Sequence, residues 1–550
     1  MTDTKQSETK NIPTHNAGEW RWTFAPHDEE RLRDVLENWE TLEHLPGAEV
    51  LKSNLSRTVI ALPPCPSRPA LIVKRYHVRG MTERLKYLFL PSRAVTEWTA
   101  LRHLKNAEVT VPKPFGLGEQ RSGRTLFRAG LIMERLLNAQ VFSEWLRKRR
   151  IGDPDRIEVL RQVGCEIAKL HGAGCRHSDL HSGNILIQEE STAVRRRVVL
   201  IDHHACRIGA MPSERIRRNN LAKVFHSLLS KITRTEALEL LRAYQEAITV
   251  PTWSPSALQQ VFDDLVRRAR RLEGIRLRSR SKRCWKNSSQ FARTVSRGWR
   301  VYRRREVPLE SLRVYQEGRI DLESIFKDEP DQLVGSATLK LEKDSQPVLV
   351  KQQSYRALWK RLWRCFYPDS LLHAWGAARA LDVRGIPTPK ALALMVRYRH
   401  ALPAAAILIT ERIVGARTLH ENQLDYAPPQ ELKDRGDINQ RISSLAKLTR
   451  HLHDAGIYHR NLTLKNILAS QDDSGECSFH VIDLDSIVIR RRVADRWRRK
   501  NLVQLGLLPD RHITARNCLR FVREYDGGEG RYWSRKWVRA LNRELTSVHP

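Results

Sequence analysis

The short apolar runs of "TVIAL" (58–62) and "ALIVKRY" (70–76), each bounded by polar residues or turn signals, read as neighbouring strands. In "SRAVTEWTALRHLKN" (92–106) the pattern changes. Ala94, Trp98 and Leu101 recur near i, i+4 and i+7, which predicts a helix with one apolar face. A further strand pair ends in "LIMER" (131–135). Beyond it helical periodicity dominates, as in "RIEVLRQVGCEIAKLHGAG" (156–174), where Gly174 supplies the stop. A small sheet followed by helices predicts an α+β arrangement: a β-rich lobe, a helical lobe and a cleft between them.

The same order then returns. Lys74 of "ALIVKRY" falls on Lys351 of "PVLVKQQ" at an offset of 277, and "ATLKLE" supplies the strand before it. At that offset "LKNAEVTVPKP" covers "LDVRGIPTPKA", and "LIMERL" covers "LITERI". With small slips, "LHGAGCRH" covers "LHDAGIYH", "VLIDHH" covers "HVIDLD" and "RRNNL" covers "RRKNL". The chain is a tandem duplication. The expected boundaries are a loose polar tail over 1–17, not a signal peptide, then a first unit over 18–265. A basic linker follows over 266–306, and a second unit over 307–550. The linker is dense in Arg and Lys, and its Trp285, Phe291, Trp299 and Tyr302 suit a docking surface.

Two units account for 550 residues, and a 41% hydrophobic share supports packed cores. The eight cysteines form no CxxC pair, which suits reduced thiols rather than a zinc ribbon or a disulfide framework. "LPAAAILIT" is too short to span a bilayer. A net charge of +34 demands an anionic partner: nucleic acid, a membrane face or a phosphorylated substrate. No nucleic-acid-binding module is visible, so nucleic acid is not the expected partner.

The chemistry concentrates in "HSDLHSGNILI" (177–187). Phosphoryl transfer needs a carboxylate to take the acceptor's proton, and Asp179 fits. It needs an amide oxygen for magnesium, and Asn184 stands five residues on; a second metal carboxylate, Asp202, follows a strand. Upstream, Lys74 on a strand and Glu97 on a helix suit the lysine–glutamate pair that holds ATP phosphates. These elements, in this order, predict a protein-kinase-like fold using ATP and Mg2+. There are two departures. No glycine-rich loop is present; "LKSNLSRTVIAL" takes its place, with Ser53, Asn54 and Ser56 as candidate phosphate contacts. The metal aspartate is followed by His203-His204. A zinc site built from His177, Asp179, His181, His203 and His204 is a weaker reading, because it gives Lys74, Glu97 and Asn184 no role.

At "HSDLHSGNILI…LIDHH", "YHRNLTLKNIL…VIDLDS", "AWGAARALDVRGIPTPKALAL" and the trailing "RRxNL", the chain resembles the bacterial lipopolysaccharide kinases of the Kdo/WaaP/InaA group. That resemblance implies the kinase-like fold, ATP and magnesium. It also implies a sugar of the lipopolysaccharide inner core, Kdo or heptose, as acceptor at the inner face of the cytoplasmic membrane. "HSDLHSGNIL" is also similar to aminoglycoside and choline phosphotransferases, so a soluble small molecule or a protein hydroxyl stands as the alternative acceptor. An inactive tandem scaffold is the reading from another class.

In the second unit Lys351, Asn466 and Asp483 persist, but Asn461 replaces the base and Ala374 replaces the helical glutamate. An amide takes no proton at neutral pH, so this unit is expected to be a pseudokinase with a binding or regulatory role. Past Asp202, the residues Arg207, Arg215, Arg217 and Arg218 are candidate contacts for an anionic sugar or glycolipid. "ERLKYLFLP" and "KRLWRCFYP" repeat a basic-aromatic pattern that fits either a helix on an anionic bilayer or packing between domains.

Overall fold

The computed structural model describes residues 14–17, 20–54, 56–78, 80–189, 196–250, 253–296, 298–318, 322–366, 369–424, 435–471, 477–506 and 515–527. The chain forms two compact units, Met1–Glu273 and Gly274–Pro550. The first opens with β1 (Thr14–Ala17), β2 (Trp20–Phe24), β3 (Glu49–Ser53), β4 (Arg57–Leu62) and β5 (Leu71–His77), then β6 (Pro114–Ser122) and β7 (Thr125–Glu134). They make one antiparallel sheet in the order β1-β2-β6-β7-β5-β4-β3. β5 pairs on both sides and carries no exposed residue, so Lys74 enters the interior as part of a covered strand.

Helix α1 (Met81–Phe89) and helix α2 (Arg93–Asn106) lie between β5 and β6. α2 starts where the Ser92 hydroxyl accepts the Val95 N–H at 3.1 Å, which satisfies one of the orphan donors of a first turn. Its buried face holds Ala94, Trp98 and Leu101, packed with Tyr76, Leu131 and Met133. Burying such large side chains stabilises by about 1.5–3 kcal/mol each. Glu97 sits on that same face and is fully buried.

The helical lobe follows: α3 (Pro154–Gly172), α4 (Glu214–Leu228), α5 (Arg234–Ala247) and α6 (Leu258–Ser281). α3 is capped by Asp153, with Pro154 at its start. After it Gly174 takes a φ of 72°, and a Cβ there would meet the Gly209 carbonyl at 1.9 Å. Only glycine fits this turn.

The second unit repeats the plan. β8 (Phe291–Ser296), β9 (Trp299–Arg304), β10 (Ser324–Glu329), β11 (Gln332–Lys340), β12 (Ser345–Ser354), β13 (Ala391–Arg399) and β14 (Leu402–Glu411) form a sheet in the order β8-β9-β13-β14-β12-β11-β10. That is the first sheet's order, strand for strand. Its longer helices are α7 (Leu358–Phe366), α8 (Ser370–Val383), α9 (Arg435–Asp454), α10 (Asp495–Gly506) and α11 (Ala515–Asp526). Gly456, the counterpart of Gly174, has a φ of 78° and faces the Arg490 carbonyl in the same way.

Two expected boundaries move. Residues 14–17, placed in the tail by their polarity, pair as a strand with β2; residues 1–13 lie outside the described residues. The stretch 266–306 is not a linker. Its first part completes α6, which buries Val261, Leu265 and Ala269 on the first unit's core. Its second part forms β8 and β9 of the second sheet. Phe291, Trp299 and Tyr302 are therefore buried rather than displayed for docking, and Trp285 packs edge-on against Tyr302. On β8 and β9 the aromatics and arginines share faces, Arg304 lying over Phe291 at 5.5 Å and pairing with Asp382 at 3.0 Å, so a covered edge of a sheet looks like a charged linker in sequence.

Candidate active site

Three elements of the first unit meet at the cleft. The Lys74 ammonium on β5 donates to Glu97 Oε1 at 2.6 Å and to Asp202 Oδ1 at 3.1 Å. Glu97 is fixed from its other side, where Oε2 accepts the Tyr76 hydroxyl at 2.7 Å and Oε1 accepts the His203 N–H at 3.2 Å. Asp202 adopts a left-handed backbone, φ 63° and ψ 55°, a conformation Asp tolerates better than most residues. Burial alone would raise its pKa. Hydrogen bonds and charge from His204 (2.7 Å), Lys74 and Arg57 outweigh burial and hold the carboxylate well below its usual range.

The loop around Asp179 is tied from behind. His177 Nδ1 accepts the Asp179 N–H at 3.2 Å, and Asn184 Nδ2 donates to the Asp179 carbonyl at 2.8 Å. With its N–H used this way, the Asn184 amide keeps Oδ1 for a cation. Asn220 of α4 accepts the His177 N–H at 3.3 Å and meets His171 at 3.3 Å, which gives the "RRNNL" motif its purpose. Asp179 itself is exposed, with its side chain 58% accessible. Lys223 of α4 donates to the Ser178 carbonyl. Burial lowers the Lys223 pKa and the charge of Asp179 raises it, with a net lowering. A cation thus stands within electrostatic reach of Asp179.

The phosphate-side turn differs from its expected role. Asn54 Oδ1 accepts from the Ser56 N–H (3.0 Å), the Ser56 hydroxyl (3.0 Å) and the Arg57 N–H (2.9 Å). Asn54 therefore shapes the turn, with Ser53 and Ser56 exposed or half-exposed at its ends. The turn delivers Arg57, whose guanidinium grips Asp202 bidentately at 3.1 and 3.3 Å. Sequence reasoning missed Arg57 because its partner lies far along the chain; the missing glycines were the available signal that another donor was needed.

The four candidate substrate arginines separate into two pairs. Arg217 is buried in the helical lobe, donating to the Pro212 carbonyl at 2.9 Å, and Arg218 pairs with Glu214 and Asp264 and lies over Trp253. Both belong to the packing of α4 and are not substrate contacts. Arg207 and Arg215 are exposed. Arg207 stands directly opposite Arg176, also exposed, across the short ribbon formed by Cys175–His177 and Cys206–Ile208. Like charges in register disfavour the ribbon, so an anion placed between them would be stabilised.

The zinc constellation does not assemble. Among the described residues the groups within 4.8 Å are His177, His203 and Cys206, and separately Glu97, Asp202 and His204. In the first group His177 Nδ1 is an acceptor. Its Nε2 therefore carries the proton and has no lone pair for a metal. Burial holds the His177 pKa down to about 3. Asn184 and Asp202, in contrast, offer hard oxygen ligands suited to Mg2+.

The second unit keeps the frame and loses several of the charges. Lys351 sits between Val334 and Leu408, as Lys74 sits between Val59 and Leu131. Asn461 N–H donates to His459 Nδ1 at 3.1 Å, and Asn466 Nδ2 donates to the Asn461 carbonyl at 2.8 Å, the same bonds as in the first loop. Ala374 fills the glutamate's place and is buried. By strand register Gln332 stands where Arg57 does. Gln504 occupies the Lys223 position and donates to the Arg460 carbonyl at 2.9 Å. Asp483 hydrogen-bonds Asp485; burial and that bond raise the Asp485 pKa, while for Asp483 burial is outweighed by its hydrogen bonds. Tyr458 opposite Val488 replaces the Arg176–Arg207 pair.

Residues 67–244 and 350–525 both match the lipopolysaccharide kinase (Kdo/WaaP) family, together more than half of the chain. The chain belongs to that family. Relatives include the 3-deoxy-D-manno-octulosonic acid kinase of Vibrio cholerae serotype O1, 29% identical over 160 residues, which are 28% of this chain and 63% of that one. The corresponding kinase of Pasteurella multocida is 29% identical over 143 residues, 26% of this chain and 56% of that one. The chain thus spans somewhat over half the length of these two relatives. A solved structure of WaaP in complex with acyl carrier protein aligns over 44% of this chain and 98% of its own at a TM-score of 0.34 and 20% identity. Family membership carries the kinase-like fold, here present in each of two units.

Proposed function

We propose that the first unit transfers a phosphoryl group from ATP to a hydroxyl of an inner-core lipopolysaccharide sugar, Kdo or heptose, and that the second unit does no transfer. The observation that carries this reading is the pair of loops with the same backbone bonds, one presenting Asp179 and the other Asn461.

The residues divide the work. Asp179 accepts the proton of the attacking hydroxyl. Lys74, held by Glu97, and Arg57 bind nucleotide phosphate; Ser53 and Ser56 flank the turn that covers it. Asn184 and Asp202 would hold Mg2+, which when bound neutralises phosphate charge. Lys223 places a positive charge where the transferred group becomes most anionic. Arg176 and Arg207, with Arg215 nearby in sequence, suit the carboxylate or phosphate of an acidic sugar, because guanidinium groups bind such anions bidentately. An acceptor of this kind is part of an anionic glycolipid, which fits a chain of net charge +34 working against a membrane face. The second unit, with Lys351, Asn466 and Asp483 in place but no base, is suited to binding or regulation.

The test is ATP-dependent phosphorylation of Kdo-terminated lipid A by the purified chain, read as mass gain and fragment position. One added phosphate on the sugar is expected. Phosphorylation of a free small molecule or a protein in preference to the glycolipid would replace the acceptor assignment.

A further inference from the structure

Helix α7 has its faces reversed relative to a surface helix of a soluble protein. Leu358, Trp359, Leu362 and Trp363 are exposed, Trp359 by 66%. Its cations turn toward the lobe. Lys360 donates to Asp331 at 2.6 Å, Arg361 bonds the carbonyls of Arg399, Leu402 and Pro403, and Arg364 lies over Tyr355 at 5.3 Å. Water would favour the opposite arrangement, because exposed apolar area is costly and exposed ammonium groups are well solvated. α1, at the same place in the first unit, does the same. Met81, Leu85 and Phe89 are exposed, Phe89 by 87%, while Arg84 turns inward over Phe127 at 4.7 Å.

We infer that α7 and α1 are docking wedges for an anionic lipid bilayer, each setting its apolar face among the acyl chains. Two observations select a bilayer over a protein. Of the exposed apolar side chains of α7, Leu362 recurs in α1 as Leu85; Leu358 stands against Met81, and Trp359 and Trp363 against Thr82 and Lys86, although an exposed apolar face is kept. A folded partner needs particular shapes, whereas hydrocarbon needs only apolar area. Exposed cations also border the faces: Arg356 precedes α7, in a stretch (354–366) with no acid, and Lys86 is exposed on α1. Trp suits the level of the lipid headgroups, and apolar area combined with basic flanks is the arrangement of interfacial helices. Among the described residues no helix is long and apolar enough to cross a membrane, so this contact is with the surface.

This surface names the contact for the membrane-facing reading above, but it stands without any phosphotransfer. The full chain is mixed with vesicles of phosphatidylglycerol and phosphatidylethanolamine, or of phosphatidylcholine alone, and bound protein is measured by flotation. Two variants are compared with it: Leu358→Ser/Trp359→Ser/Leu362→Ser and Met81→Ser/Leu85→Ser/Phe89→Ser. The parent chain is expected to float with the anionic vesicles only. Each variant is expected to lose affinity about tenfold at an unchanged melting temperature, because the replaced side chains are exposed. Variants that float like the parent, or a parent that binds phosphatidylcholine as well, would overturn the proposal. So would a parent that self-associates through this face, with variants that become monomeric yet bind vesicles undiminished.

Discussion

The loop around Asp179 and the loop around Asn461 are held by the same hydrogen bonds to within about 0.1 Å, yet only one presents a carboxylate. The frame around both is also shared. His171 is clamped by Tyr244 and Asn220, and His453 by Tyr525 and Asn501. What differs is a set of charges at the cleft: Arg57 against Gln332, Glu97 against Ala374, Asp179 against Asn461, Lys223 against Gln504. Folding needs the frame, so both copies keep it. The cleft charges cost desolvation and add little to packing, and the second unit keeps Lys351 and Asp483 but not these four. Lys223 and Gln504 make the point directly. Both hold the carbonyl just before the base position, and only the lysine adds a cation.

That contrast can be attacked in order of expected effect. Lys223→Gln installs the second unit's residue in the first. The carbonyl contact is preserved, so the fold should stand while kcat falls by up to about 10²-fold; an unchanged kcat would reduce Lys223 to a structural anchor. Arg57→Gln, again the second unit's residue by register, should raise the KM for ATP about tenfold with a smaller change in kcat, since charge-assisted bonds contribute about 1.5–3 kcal/mol. Steady-state kinetics at varied ATP separates the two.

Stability should respond to acid in both copies. Burial holds His171 and His453 down to about 4. Their folded pKa lies below the unfolded value near 6.5, so the unfolded chain binds more protons in between, and stability falls as pH drops from about 6.5 to about 4. A few kcal/mol per histidine is the order expected. Melting curves across that range check it, and a flat profile would contradict the buried neutral clamps. Smallest of all is Asn461→Asp alone. It should add no measurable transfer in a chain silenced at Asp179, because Ala374 leaves Lys351 without its glutamate.

The sequence carried the cleft residues that are defined by type at fixed spacing. Asp179 and Asn184 are five residues apart, and the α+β order around Lys74 and Glu97 is visible in the strand and helix periods. The structure brings Lys74, Glu97 and Asp202 together directly. Arginine roles were not legible. Arg217 and Arg218 looked like a substrate patch because a buried arginine and a surface one are the same letter, and Asp264, which holds Arg218, lies 46 residues away. Arg57 reaches its partner across 145 residues. The 266–306 stretch misled for a related reason: arginines of its strands lie over the aromatics, Arg304 over Phe291 and Arg293 over Tyr302, and a stacked arginine is the same letter as a solvated one. Lys223 was legible in principle, since "RRNNLAK" over "RRKNLVQ" pairs it with Gln504 at the same offset that aligned the metal aspartates.

The most direct measurement is ATP-dependent phosphorylation of Kdo-terminated lipid A by the full chain carrying Asp179→Asn, with nucleotide binding followed in parallel. A fall in transfer of about 10²–10⁴-fold is predicted, with ATP binding near that of the parent, because Lys74, Arg57 and Asp202 are untouched. Transfer that persists in this chain, and disappears only when Lys351 or Asp483 is also changed, would show the second unit to be the catalyst and contradict the division of labour proposed between the two copies.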